Sequence, residues 1–176
     1  MPTFASNETA LLVIDMQYAL FEHKSPIYNA DHLLQKINNL VEQAHQANMP
    51  VVFFQHINKG ILKKDAPGWN LHPALGIREE DIFMEKQNGS AFQNTLLYDW
   101  LQSRELTTLI MCGLTTHGCI KATCKDALKL GYRVILAADG HSSYHVDAAS
   151  LIEQWNVKLG QQGAVVIPAG NILLCP

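Results

Sequence analysis

Short apolar runs alternate along the chain with longer segments in which apolar residues recur three or four apart. The runs are rich in Val, Ile, Leu and Phe, which is typical of strands buried on both faces of a sheet. They predict strands at residues 10–15, 51–56, 81–86, 106–112, 132–138 and 164–167. The helical spacing predicts helices at residues 31–48, from 90 or 94 to 101, 117–130 and 146–160. Strands that alternate with helices predict an α/β fold with a mostly parallel sheet covered on both faces.

Three of the predicted strands lead into a side chain that can take part in chemistry. Asp15 closes the first strand, Lys86 closes the third, and Cys119 follows the fourth after a short turn. The carboxyl ends of parallel strands share one edge of the sheet, where ligands bind in α/β folds, so we expect these side chains to converge. Taken singly, Asp15 also suits a cap or a turn, and Lys86 also suits a solvated surface position.

The segment around Cys119 has the pattern of a strand, a sharp turn and a helix. Gly113 is predicted to break the strand, and residues 114–118 form the turn. Cys119 then falls in the first helical turn, where free N–H groups and the helix dipole favour an anion. We therefore expect a lowered pKa at Cys119 and a larger thiolate fraction. The alternative is a small buried hydrophobe, which is also how we interpret Cys112 and Cys124.

The remaining segments are less informative. Residues 58–78 form a long connection that contains Trp69, and we expect it to cover a substrate, although Trp69 could equally pack on the sheet surface. Residues 16–28 are predicted to be a loop that brings Phe21 near the site. The apolar tail from Pro168 to Pro176 is expected to pack on a neighbouring subunit.

Composition and charge narrow the classes of partner. The chain has 176 residues, 48% hydrophobic and 16% charged, which fits a single domain over residues 1–176. A formal net charge of −3 gives no basic surface for nucleic acid. No apolar run reaches the length of a membrane helix, and no signal peptide is recognisable. The four cysteines then favour free thiols in a reducing compartment, with a cytoplasmic location as the expectation.

Several stretches resemble the isochorismatase-like cysteine hydrolases. They are VIDMQ at 13–17, K-x-x-x-S-A-F at 86–92 and GLTTHGCIKAT at 113–123, with further similarity at GWNLHPAL, 68–75, and LGYRVILAAD, 130–139. The resemblance implies a three-layer, Rossmann-like fold with a six-stranded sheet, and a catalytic triad of Asp15, Lys86 and Cys119. It also implies a cis peptide before Thr115, an oxyanion hole made by the N–H groups of Thr115 and Cys119, and a dimer or tetramer.

The resemblance also implies a chemistry. Asp15 would take the Cys119 proton while Lys86 keeps Asp15 ionised and favours the thiolate, and the sulfur would attack the carbonyl carbon of a small amide-like substrate. Nicotinamidases of this family hold a metal with an Asp-x-His motif where this chain has Gln55-His56-Ile57. We therefore expect no metal, no cofactor and no nicotinamidase activity.

The pocket and the alternatives stay open at this level. The expected pocket walls are Phe21, Trp69, Phe92 and His117, each of which could instead be packed in the core. A thiol redox sensor or a small-molecule binding protein could use Cys119 without hydrolysis. A nucleotide-binding domain is disfavoured because no glycine-rich phosphate loop follows the first strand.

Overall fold

The computed structural model describes residues 1–176 and shows a six-stranded parallel sheet with helices on both faces. The strands are β1 (Thr3–Ala5), β2 (Thr9–Ile14), β3 (Val51–His56), β4 (Ile82–Lys86), β5 (Thr108–Leu114), β6 (Arg133–Ser142), β7 (Val165–Ile167) and β8 (Leu173–Cys175). The helices are α1 (Tyr18–Phe21), α2 (Ala30–Gln46), α3 (Leu97–Ser103), α4 (Lys121–Lys129) and α5 (Ala148–Gln161). The spatial order in the sheet is β4-β3-β2-β5-β6-β7.

Each face of the sheet is covered by a separate apolar layer. On one face the predicted stripe of α2 is buried as expected; its members are Leu33, Leu34, Ile37, Leu40, Val41 and Ala44. On the other face α3, α4 and α5 contribute residues such as Leu101, Cys124 and Leu159. Strand β2 is buried along its whole length, which explains why it reads as a continuous apolar run. The predicted α/β fold is therefore confirmed.

Strand β5 continues through Gly113 instead of ending there. Gly113 pairs with Ile14 of β2 and has a φ of +119°, and a Cβ at this position would lie 2.1 Å from the Ile14 carbonyl oxygen. The expectation that Gly113 breaks the strand was therefore wrong. Glycine is required here because β2 and β5 approach too closely for any side chain.

Strand β6 is longer than predicted, since it continues through residues 139–142 beyond the predicted strand end at residue 138. A register shift lies between Met111 and Gly113, so that Gly113 pairs with His141 and Leu114 with Ser142. Bulges of this kind re-aim side chains at the rim of a sheet. As a result, His141 points its ring into the protein and is 2% exposed.

One other prediction of local structure was wrong. Helix α3 begins only at Leu97, because residues 87–96 form turns, and Leu96 is 74% exposed. The tail forms strand β8, which pairs in parallel with β1, with Thr3 opposite Leu173. Its packing on a neighbouring subunit stays a prediction. Pairing between three-residue strands at opposite ends of a chain leaves little periodic signal in a sequence.

None of the helices is both long and apolar enough to cross a bilayer.

Candidate active site

The carboxyl-terminal edge of the sheet brings Asp15, Lys86 and Cys119 together. Asp15 follows β2, Lys86 ends β4, and Cys119 lies in the turn after β5. A carboxylate oxygen of Asp15, a ring nitrogen of His56 and the Cys119 sulfur all lie within 4.8 Å of one another. The convergence expected for parallel strand ends is therefore present, and it includes a fourth residue, His56, at the end of β3.

Asp15 and Lys86 form a buried ion pair. Lys86 Nζ lies 2.7 Å from Asp15 Oδ2, and the two side chains are 0% and 3% exposed, respectively. Lys86 Nζ also contacts the carbonyl oxygens of Asn88 at 3.1 Å and Gly89 at 3.4 Å. These partners satisfy the ammonium, which is what a buried charge requires.

The second oxygen of Asp15, Oδ1, is buried and has no hydrogen-bond partner. Burial raises the pKa of this carboxyl above its usual value, and the charge and hydrogen bond of Lys86 only partly offset that effect. Lys86 therefore favours the ionised form of Asp15, as predicted, while burial acts against it. A carboxylate with a raised pKa and one free oxygen is well suited to accept a proton.

Cys119 is a thiol at rest rather than a thiolate. Its pKa is raised to about 12 by burial and by the nearby charge of Asp15, while Lys86 acts in the opposite direction. The predicted lowering of this pKa was therefore wrong. The local structure also differs from the prediction, since Cys119 lies in an irregular helical turn at Thr116–Ile120 and not in the first turn of the regular helix α4.

The backbone before Cys119 is arranged as the resemblance implied. The Leu114–Thr115 peptide bond is cis. The Thr115 N–H donates no hydrogen bond within the protein, while the Thr115 carbonyl accepts from Gly118 N and Ile120 N. A free backbone donor in the turn that carries the nucleophile is one requirement of an oxyanion hole, and the oxyanion hole formed by Thr115 and Cys119 stays a prediction.

His141 holds the irregular turn in place through hydrogen bonds. The Asn156 Nδ2 group donates to the Ala138 carbonyl, so Asn156 Oδ1 is left to accept from His141 Nε2, at 2.9 Å. His141 Nδ1 then accepts from the hydroxyl of Thr116 at 2.8 Å. Burial lowers the pKa of His141 to about 4, which keeps the ring neutral and both bonds intact. The sequence did not predict this role, because His141 lies between the predicted strand at 132–138 and the predicted helix at 146–160.

The sequence interpretation also missed His56, which it considered only as a substitute in a metal motif. His56 Nδ1 lies 3.2 Å from Lys86 Nζ. Burial and the charge of Lys86 lower the pKa of His56, so the ring is neutral. Its position at the end of β3, between the strands that carry Asp15 and Lys86, was a signal in the sequence that could have identified it.

The donor atoms of Asp15, His56 and Cys119 are of the kinds that bind zinc, so the fit of a metal ion has to be tested. The Lys86 ammonium lies 2.7 Å from Asp15 and 3.2 Å from His56. A divalent ion among these donors would face a fixed positive charge at close range in a buried setting. The residues present therefore do not fit a metal centre.

Of the four predicted pocket residues, Phe21, Trp69 and His117 lie at or near this edge. Phe21 ends α1, after Asp15, and packs on His72 with ring centroids 4.5 Å apart. His117 is in the same turn as Cys119, and its Nδ1 lies 3.2 Å from Ser143 Oγ. The segment with Trp69 is held by Gln17, whose amide donates to the Trp69 carbonyl at 2.8 Å.

The structure does not bring Phe92 to the site. Its ring stacks on Tyr132 at 5.7 Å between centroids. Tyr132 precedes β6, at the amino-terminal edge of the sheet, which is the edge opposite Asp15 and Cys119. Phe92 therefore packs against the apolar layer formed by α3, α4 and α5.

Comparisons with known proteins agree with the fold described above. A model of the isochorismatase domain matches residues 9–169. The chain is 32% identical over 142 residues to a streptothricin hydrolase of Streptomyces noursei, and the alignment covers 80% of this chain and 56% of that protein. The alignment with a second streptothricin hydrolase covers 51% of that protein. The chain therefore spans about half the length of these curated relatives.

Solved structures match over almost the whole chain. An isochorismatase family protein superposes with a TM-score of 0.87 at 26% identity and covers 93% of this chain and 99% of its own. An isochorismatase from Pseudomonas putida has a TM-score of 0.88 at 24% identity, covers 98% of this chain and 94% of its own, and supports the fold alone. Together, the matched domain and the shared six-stranded sheet show that this chain belongs to the isochorismatase family.

Proposed function

We propose that the protein is a cysteine hydrolase that cleaves a C–N bond of a small amide-like molecule through a thioester on Cys119. The observation that carries this proposal is the buried cluster of Asp15, Lys86 and Cys119, in which Asp15 Oδ1 has no partner of its own. A buried charged oxygen left unpaired is costly, and active sites are where such groups are retained.

In the first half of the reaction, proton transfer and attack are coupled. Because the pKa of Cys119 is about 12, the sulfur attacks the carbonyl carbon as its proton passes to Asp15. The C–S bond forms, the carbonyl π electrons move to oxygen, and the backbone N–H groups of Thr115 and Cys119 stabilise that oxyanion. Before the transfer the negative charge is on Asp15, where Lys86 stabilises it; after the transfer it is on the substrate oxygen.

Asp15 then returns the proton to complete the first half, and water hydrolyses the thioester in the second half. The tetrahedral intermediate collapses, the C–N bond breaks, and protonated Asp15 gives its proton to the leaving nitrogen, which departs as ammonia or an amine. A water molecule then attacks the thioester while Asp15 accepts its proton. Collapse of this second intermediate releases the acid product, and the proton on Asp15 returns to the Cys119 sulfur.

The relatives support hydrolysis in general terms, since two of them are named streptothricin hydrolases. The choice of a C–N bond depends on Cys119, because a nucleophilic sulfur suits acyl transfer from an amide. We also propose a cytoplasmic enzyme that assembles as a dimer or tetramer and acts on a small molecule rather than on nucleic acid.

The rival interpretation of Cys119 as a redox sensor is disfavoured by its environment. A sensor cysteine requires an accessible thiolate with a low pKa. Here the pKa is raised and the sulfur is partly covered. The paired Asp15 and Lys86 also have no function in a simple sensor.

The test is to expose the protein to a library of small amides while measuring ammonia or amine release and intact-protein mass. We expect an adduct whose mass equals that of the acyl group, mapped to Cys119, and no turnover in Cys119→Ala. Cys175→Ala is the matched control and should keep full activity, because Cys175 lies in β8, away from this edge. Turnover that survives in Cys119→Ala would overturn the proposal.

A further inference from the structure

His56 occupies the one position between the catalytic candidates that the proposed mechanism leaves without a role. Four adjacent strands, β4, β3, β2 and β5, lead at their carboxyl ends to Lys86, His56, Asp15 and Cys119 in that spatial order. His56 pairs directly with Lys86 in the register of β3 and β4. The side chains at this edge therefore form a continuous row rather than a triad with a gap.

The contact between His56 and Lys86 defines the state of the imidazole. An ammonium group has only protons to offer, so His56 Nδ1 must accept from Lys86 Nζ at 3.2 Å. The ring proton is then on Nε2. The Lys86 ammonium contacts the side chains of Asp15 and His56 and two backbone carbonyls.

The backbone of His56 is fixed by Gln17, which is fully buried. The Gln17 amide accepts from His56 N–H at 2.8 Å through Oε1 and donates to the His56 carbonyl at 3.0 Å through Nε2. Because the Gln17 side chain is hydrogen-bonded to both the N–H and the carbonyl of His56, it limits how far His56 can move. This arrangement holds the imidazole in place against Lys86.

From these contacts we propose that His56 is a positioning residue, whose neutral imidazole holds the Lys86 ammonium against Asp15. The inference rests on the proposed function. Without an acceptor at Nδ1, the ammonium would shift towards the Asn88 and Gly89 carbonyls and lose its alignment with Asp15. Small displacements of a charged group in a buried site are enough to slow the chemistry strongly.

Protonation of His56 would remove the same contact, because an imidazolium has no acceptor to offer. The titratable groups that surround the ring are Lys86 from β4, Asp15 after β2 and Cys119 after β5. Activity should therefore fall at acid pH as His56 becomes charged, with a midpoint below the usual histidine value of 6.5, because burial and Lys86 lower the pKa of His56.

Two substitutions separate this role from simple packing. His56→Leu keeps much of the volume but has no acceptor, and we expect kcat to fall by about 100-fold with KM changed by less than about threefold. His56→Asn places an amide oxygen close to the position of Nδ1 and should keep kcat within about tenfold of wild type. His32→Asn is the control, since His32 is exposed on α2, and it should behave as wild type.

The pH profile is the decisive measurement. In His56→Asn the part of the acid limb that His56 contributes should disappear, so kcat/KM declines only at lower pH than in wild type. An unchanged acid limb in this variant, or wild-type kcat in a folded His56→Leu, would overturn the proposal. If His56→Leu does not fold, the Asn variant alone decides the matter.

The two proposals fail in different ways. Turnover that persists in Cys119→Ala would remove the proposed function and with it any role for His56. Turnover that depends on Cys119, together with a His56→Leu enzyme of wild-type rate and pH profile, would leave the hydrolase intact and reject the role of His56 alone.

Discussion

Lys86 Nζ and Asp15 Oδ2 are 2.7 Å apart, and neither side chain is more than 3% exposed. Taking both charges out of water is costly, and a buried pair repays that cost only with good geometry and further hydrogen bonds. Lys86 has those additional bonds, whereas Asp15 Oδ1 has none. The pair is therefore asymmetric, with the cation fully satisfied and the anion left partly free for chemistry.

Removal of either partner alone should destabilise the fold. Lys86→Met leaves Asp15 buried without its cation, and we expect the free energy of unfolding to fall by about 3 kcal/mol and turnover to be lost. Urea unfolding followed by fluorescence measures the first effect.

The double variant Asp15→Leu with Lys86→Met provides the control. It removes both charges, and we expect it to be more stable than Lys86→Met while remaining inactive. Additive losses in the double variant would show that the two groups are not coupled.

Cys119 should show no thiolate at neutral pH. Because its pKa is raised to about 12, the thiolate absorbance near 240 nm, taken as wild type minus Cys119→Ala, should be absent up to about pH 9. Alkylation by iodoacetamide should likewise be slow at neutral pH and accelerate as the solution becomes more alkaline. A thiolate signal below about pH 8 would contradict the environment described for Cys119.

Acid should destabilise the protein partly through His141. Its pKa is about 4 in the folded protein against 6.5 for the ordinary group, so between these values only the unfolded chain binds the proton. Stability is therefore fully present above pH 6.5 and is lost as the pH falls towards 4, by about 3 kcal/mol for a difference of about 2.5 in pKa.

The measurement for His141 is the pH dependence of unfolding in urea, compared with His141→Gln. The variant should be less stable at neutral pH but should lose less stability on acidification than wild type. His32→Gln, at an exposed position of α2, should follow the wild-type curve. Parallel curves for wild type and His141→Gln would refute the prediction.

Gly113→Ala should damage the sheet far more than a glycine substitution elsewhere. The new Cβ would lie 2.1 Å from the Ile14 carbonyl oxygen, so β2 and β5 would have to separate, at a cost of more than about 3 kcal/mol. Gly131→Ala is the matched control: Gly131 also has a positive φ, but a Cβ there meets nothing within 4 Å, so the loss should be about 1 kcal/mol. Chemical denaturation of both variants tests the difference.

The sequence predicted the fold and the convergence of Asp15, Lys86 and Cys119 because both depend on local patterns. Apolar runs define the strands, and strand ends in a parallel sheet share an edge. His56 could have been found by the same argument, since it also closes a strand.

The errors came from features that depend on distant contacts. The pKa of Cys119 is set by burial and by Asp15, neither of which is visible at positions 113–123. The extension of β6 to Ser142 depends on a bulge relative to β5, and the pairing of β1 with β8 joins opposite ends of the chain. Phe92 lies in a turn and packs towards Tyr132, whereas helical periodicity placed it in a helix.

The row of four side chains on adjacent strands is divided by the exposed stretch 58–61, with Asp15 and His56 on one side and Lys86 and Cys119 on the other. Two fragments made by a cut in this stretch would each carry half of the row, and neither could turn over substrate alone. Mixing them would restore activity only if β4 docks beside β3 and β5 docks beside β2 in their native alignments, so complementation of the split chain would give a direct enzymatic readout of contacts between these strands.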